Sequence, residues 1–142
     1  MRLKRLTNVE RGQVSFESIL LWVGFLAVLG LFLPVFAHSL EAQKLQLDKE
    51  HFLSFAHSLE QTITRVTHYS EGSSVSIRVP QLENLEIEIQ EKVLTLTWSP
   101  PALSDSLIIE IESPLPFIGE MPIDSGEIII SRESASILIE SG

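Results

Sequence analysis

Glu17 stands at the edge of a hydrocarbon segment: from Ser18 to Ala37 the chain carries no charge and almost no polarity. A carboxylate there has to be neutralised or paired once its surroundings lose water. The other groups able to do chemistry are scattered. His38, His51, His57 and His68 include no i,i+4 pair and no His-Glu-x-x-His. His57 and His68 share a helix face but stand about 16 Å apart along it, too far for one metal. Glu86 with Glu88, and Glu110 with Glu112, each put two acids on one strand face. Such pairs could hold calcium weakly, but calcium needs six to eight converging oxygens, so a solvated sheet face is the better reading. There is no Gly-x-Ser-x-Gly elbow, no glycine-rich phosphate loop and no Asn-x-Ser/Thr sequon. The expectation is a chain without catalytic residues, metal or cofactor, not an enzyme.

Charge is divided unevenly. Arg2, Lys4, Arg5 and Arg11 stand against Glu10 in the first 12 residues, a net of +3. Residues 13–142 hold 6 basic and 18 acidic residues, a net of −12. An acidic body argues against nucleic acid as a partner, since phosphate contacts need a basic surface. The absence of cysteine rules out disulfides and thiolate metal sites.

The element that carries Glu17 is long. Ser18 to Ala37 is 20 residues, about 30 Å of helix and the thickness of a bilayer core. It is apolar all round, which argues against an amphipathic surface helix. A buried core helix is the alternative, but a domain of this size rarely holds one so long. Pro34 near its end is expected to kink the helix and not to break it. Basic residues precede the span, while Lys44 and Lys49 behind it mingle with Glu41, Asp48 and Glu50. The N-terminus is therefore expected in the cytoplasm and the acidic body outside, as a single-pass membrane protein in contact with lipid. Three fates compete: a secretory cut after Ala37, an uncut anchor, and a cut ahead of the apolar run. The first two give Glu17 no role.

The stretch "QVSFESILL", Gln13 to Leu21, resembles the Gln-x-Ser-x-Glu-x-x-x-Leu pattern of archaeal type IV pilin-like precursors with class III signal peptides, through Gln13, Ser15, Glu17 and Leu21. The motif covers nine residues and the basic-to-apolar start about 37. The resemblance implies cleavage of the Gly12–Gln13 bond by a membrane-embedded prepilin peptidase, with the apolar helix kept. It implies that residues 1–12 are a leader, that residues 13–37 serve both as membrane span and as assembly helix, and that Pro34 matches the helix-bending proline often found in type IV pilins. It further implies partnership with other pilin-like subunits through the apolar helices, at the cell surface or in a pilus. The Gln13 amine left by cleavage lies one helical turn from Glu17, so in a staggered bundle Glu17 can reach the amine of a neighbour and select the register. The large, individual head leans toward a minor pilin, with adhesion among the roles such a surface protein serves.

The remainder, 38–142, reads as an extracytoplasmic α+β head. Phe52, Phe55, Ala56, Leu59, Ile63 and Val66 recur at helical spacing, so a helix over 38–69 has one apolar face. Unbroken from Gln13 to His68 it would be about 84 Å long. Glu71-Gly72-Ser73-Ser74 should stop it. From 74 to 142 the period becomes two, in "SVSIRV", "LEIEI" and "LTLTW", then less cleanly in "LIIEIE" and "EIIIS", and in "SILIE". Glu91-Lys92 and Arg132-Glu133-Ser134 fit hairpin turns, and Pro100-Pro101, Pro114, Pro116 and Pro122 interrupt the sheet. The expectation is a type IV pilin-like fold: a long hydrophobic then amphipathic helix with an antiparallel meander of five or six strands on its amphipathic half. A membrane-anchored extracellular binding module, or a secreted β domain cut after Ala37, is the alternative function.

Overall fold

The computed structural model describes residues 6–119 and 126–142, with side chains from Phe16 onward. The side chains of Gln13 and Ser15 of the motif, and Arg2, Lys4, Arg5 and Pro122 altogether, lie outside the described residues. The fold is α+β: one long N-terminal helix followed by a β-rich head. Helix α1 runs Leu6–Thr67 and contains Pro34. It begins seven residues ahead of Gln13 and ends one residue short of His68. Proline has no N–H to give the carbonyl four residues back, which here belongs to Gly30. The helix nevertheless continues unbroken through Pro34.

Two compact units divide the chain, Met1–Lys44 and Leu45–Gly142. The described residues of the first are helix alone. The second starts at Leu45, where the first helix side chain packs against the core, seven residues beyond the boundary expected at 37/38. In this second unit the helical periodicity has its physical result: Phe52, Phe55, Ala56, Leu59, Ile63 and Val66 are all buried.

Among the described residues the head has seven strands. They are β1 (Ser74–Arg78), β2 (Leu85–Gln90), β3 (Val93–Trp98), β4 (Leu107–Glu112), β5 (Phe117–Gly119), β6 (Glu127–Arg132) and β7 (Ile137–Ser141). They form two sheets and not a single meander. One has the order β1-β6-β7-β5, the other β2-β3-β4. Only the second is a meander. All pairings are antiparallel except β5 with β7, which run parallel. Alternation along each strand sends one set inward: Leu94, Leu96 and Trp98 of β3, Ile128 and Ile130 of β6, and Ile137 and Ile139 of β7 join the helix residues in one core. Phe52 and Trp98 are both essentially fully buried, with ring centroids 5.6 Å apart.

Turn chemistry follows local rules. Glu91 closes the β2–β3 hairpin at φ 40°, and Gly72 takes φ 80° in the turn after the helix, a region open to glycine at no steric cost. Gly119 is fixed by a close approach instead. A Cβ there would lie 2.5 Å from the Ile139 backbone oxygen and 3.0 Å from Ile89 Cδ1. The oxygen belongs to β7 and cannot move without moving the sheet. Gly119→Ala should therefore cost about 1–3 kcal/mol of head stability, read as a lower urea midpoint at unchanged slope.

Candidate functional site

The apolar segment is the outstanding surface of the molecule. Its large side chains, from Phe16 through Phe36, run from 38% exposed at Leu29 to 75% at Leu21. Among the described residues one helix, Phe16–Thr67, is long and apolar enough to cross a membrane, and none of its most apolar window is buried within the chain. A core helix is thereby excluded for Ser18 to Ala37. Burying an exposed Leu, Ile or Phe side chain is worth about 1.5–3 kcal/mol, so this stretch demands a hydrocarbon or protein surround. Within it Trp22 and Phe25 meet edge to face, centroids 6.0 Å apart. Nothing lies within 4 Å of where a Cβ on Gly24 or Gly30 would be. Neither glycine is demanded by packing inside this chain.

Of the four motif residues, Glu17 and Leu21 have described side chains, and both are exposed. Glu17 has no ion-pair partner among the described residues. A charge at the edge of an apolar run is conspicuous without any tertiary information, which is why Glu17 stands out in the sequence.

The remaining titratable groups are spread over the surface. His38 Nδ1 lies 3.7 Å from Glu41, and His57 Nδ1 lies 3.8 Å from Glu60, both one turn on along an exposed helix face. Gln61 Nε2 is 2.8 Å from His57 Nε2. These are solvated helix positions. Register places Glu88, Thr95 and Glu110 in one row across the three-stranded sheet. Two strand spacings, about 10 Å, separate the two acids of that row. No group of three His, Asp or Glu able to hold a metal occurs among the described residues.

Two further features have no local sequence signal. A groove of about 930 Å³ runs between the helix and strand β1, walled by Asp48, His51, Ser54 and Ser58 on one side and by Ile77 and Arg78 on the other. It arises where a helix flank and a sheet edge meet, and no local motif marks such a meeting. The second is Arg132 at the end of β6, whose Nη1 is buried with no hydrogen-bond partner among the described residues.

Among the described residues, one long exposed apolar helix followed by a β-rich head defines an α+β class of protein. No family model, no curated protein and no solved structure matches the chain.

Proposed function

We propose that this protein is a structural, non-catalytic type IV pilin-like subunit, made with a basic leader, trimmed at Gly12–Gln13 and then held in the membrane or assembled into a surface filament as a minor pilin. The observation that carries the reading is the apolar helix: 20 residues that their own chain leaves uncovered, entered through a lone carboxylate, Glu17. A secretory signal would also be apolar, but it has no use for an acid at its entrance. In a bundle of such helices the acid finds a partner in the Gln13 amine of a neighbouring copy, and an incorrect stagger leaves a charge stranded in hydrocarbon. The partners are the prepilin peptidase, other pilin-like chains and lipid. The N-terminus faces the cytoplasm and the head faces outward.

Gly12 lies within α1, and glycine weakens a helix by about 1 kcal/mol relative to alanine, which eases the local opening a protease needs. Its missing side chain also fits a tight cleavage site. N-terminal sequencing and intact mass of the protein taken from its native membrane test the proposal. Gln13 as first residue is the expected result. A start at Met1 would mean an uncut anchor, carrying a binding module, and a start at His38 a secreted domain. Gly12→Val should leave the leader in place, seen as the mass of the untrimmed chain. Normal trimming of that variant by the native peptidase would refute the assignment of the cleavage site.

A further inference from the structure

Two open sheets have four outer edges, and they differ. β2 and β5 lie against each other, which leaves β1 and β4. In an antiparallel ladder a residue bonds to one neighbouring strand, and alternate residues turn their N–H and C=O the other way. Val79 N–H donates to the Gly126 carbonyl and Arg132 N–H to that of Ser73. The bonded positions of β1 are therefore the odd ones, and Ser74, Ser76 and Arg78 turn their backbone groups outward. Ser113 N–H donates to the Lys92 carbonyl, so by the same count Ile108, Glu110 and Glu112 turn theirs outward from β4. None of these six residues has an outward backbone bond among the described residues. Ser74, Ser76 and Arg78 are all exposed, and at Ile77 and Arg78 the groove of about 930 Å³ separates β1 from the helix.

The chemistry of the two edges is complementary. β4 carries Glu110 and Glu112 and no cation, with Ile108 59% exposed. β1 carries Arg78, two small serines and no carboxylate. Edge charges of one sign keep a strand from pairing with its own kind, and like charges opposite each other in a ladder repel. β4 against β4 is thereby disfavoured, whereas β4 against β1 is not.

Resting on the reading as a filament subunit, we propose that β4 of one copy pairs antiparallel with β1 of the next, so that the three-stranded sheet of one head continues into the four-stranded sheet of its neighbour. The register that uses every outward group sets Ser74 opposite Glu112, Ser76 opposite Glu110 and Arg78 opposite Ile108. All three pairs are then of the bonded kind. Arg78 reaches Glu110 on the diagonal, a span that long side chains cover. Glu127 of β6 stands across from Arg78 within the same head and accepts the Ser76 hydroxyl, so Ser76 contributes its backbone and not its side chain. The contact joins two different patches. It therefore propagates from copy to copy and does not close into a twofold dimer.

The chain has no cysteine, so introduced thiols are unambiguous. Ser74→Cys in one full-length copy and Glu112→Cys in another would sit about 5.5 Å apart at Cα, as in a bonded antiparallel pair, inside the span of roughly 4.4–6.8 Å that a disulfide bridges. After co-expression and mild oxidation on the cell membrane, the mixed disulfide should exceed either same-site disulfide on the order of tenfold, a preference of about 1.4 kcal/mol. Arg78→Glu should remove that excess, and Glu110→Arg added in the Glu112→Cys copy should restore it. Both charge changes fall at exposed positions. Arg78→Glu also sets a second acid opposite Glu127 of its own β6, a repelling pair, so Arg78→Gln is the control: it should lower the excess without that repulsion. Equal yields of mixed and same-site disulfides, or a yield indifferent to Arg78→Glu, would overturn the pairing. The filament reading fails separately, through a mature N-terminus other than Gln13. Loss of the cross-link in normally trimmed chains that still form filaments would refute the edge pairing alone.

Discussion

Cells whose only copy of this protein carries Glu17→Gln are expected to yield few or no sheared filaments while keeping a normal pool of trimmed chain in the membrane. Glutamine retains the shape and much of the helix propensity of glutamate and deletes only the charge available to the Gln13 amine of a neighbour. At an effective dielectric of 20, two unit charges 4 Å apart attract by about 4 kcal/mol before desolvation is subtracted, enough to bias one stagger over others. Insertion should not change, because the 20-residue apolar run is long enough without the flanking acid. Head folding should not change either, since the core residues all come from Leu45 onward. Glu17→Lys should be worse, bringing two cations together in an apolar bundle. The measurement is the ratio of filament to membrane-bound protein for each variant. A normal ratio in Glu17→Gln would show that the acid does not set the register.

The second large effect is expected in the head. Phe52→Ala should lower its unfolding free energy by about 3–5 kcal/mol, the usual range for a buried Phe, out of roughly 5–15 kcal/mol available to a domain. Phe52 is fully buried and its ring lies on Trp98, so truncation opens a cavity and also removes an aromatic pair. Trp98 itself reports the change: with the second tryptophan replaced, Trp22→Phe, urea unfolding followed by fluorescence reads the head alone. The apolar helix should still insert, because Phe52 lies outside it. A loss below about 1 kcal/mol would mean that the core closes over the gap more readily than native packing densities allow.

The sequence carried much of this architecture because its signals are local. A 20-residue apolar run, a charge step at its entrance and helical spacing from Phe52 to Val66 each depend on neighbours within a few turns. All six helix residues named from that spacing are buried, and all six alternating runs are strands. β5 leaves no such signal, because Pro114 and Pro116 precede it and it is only three residues long. It becomes a strand by lying parallel to β7, with Gly119 touching the Ile139 carbonyl, a contact made across 20 residues of chain.

By itself the sequence determined an exposed apolar helix with an acid at its mouth, the core-facing stripe of the amphipathic half, and the inward face of each strand. Period fixes these, since a side chain's direction repeats every 3.6 residues in a helix and every two in a strand. The partner of each strand was decided only by the tertiary structure. Alternation tells which face a residue takes but not which neighbour its strand bonds to. β1 therefore pairs with β6, about fifty residues on, and the head divides into two sheets. Which backbone groups are left at the edges, and the groove beside β1, follow from that choice, because both depend on where distant segments meet.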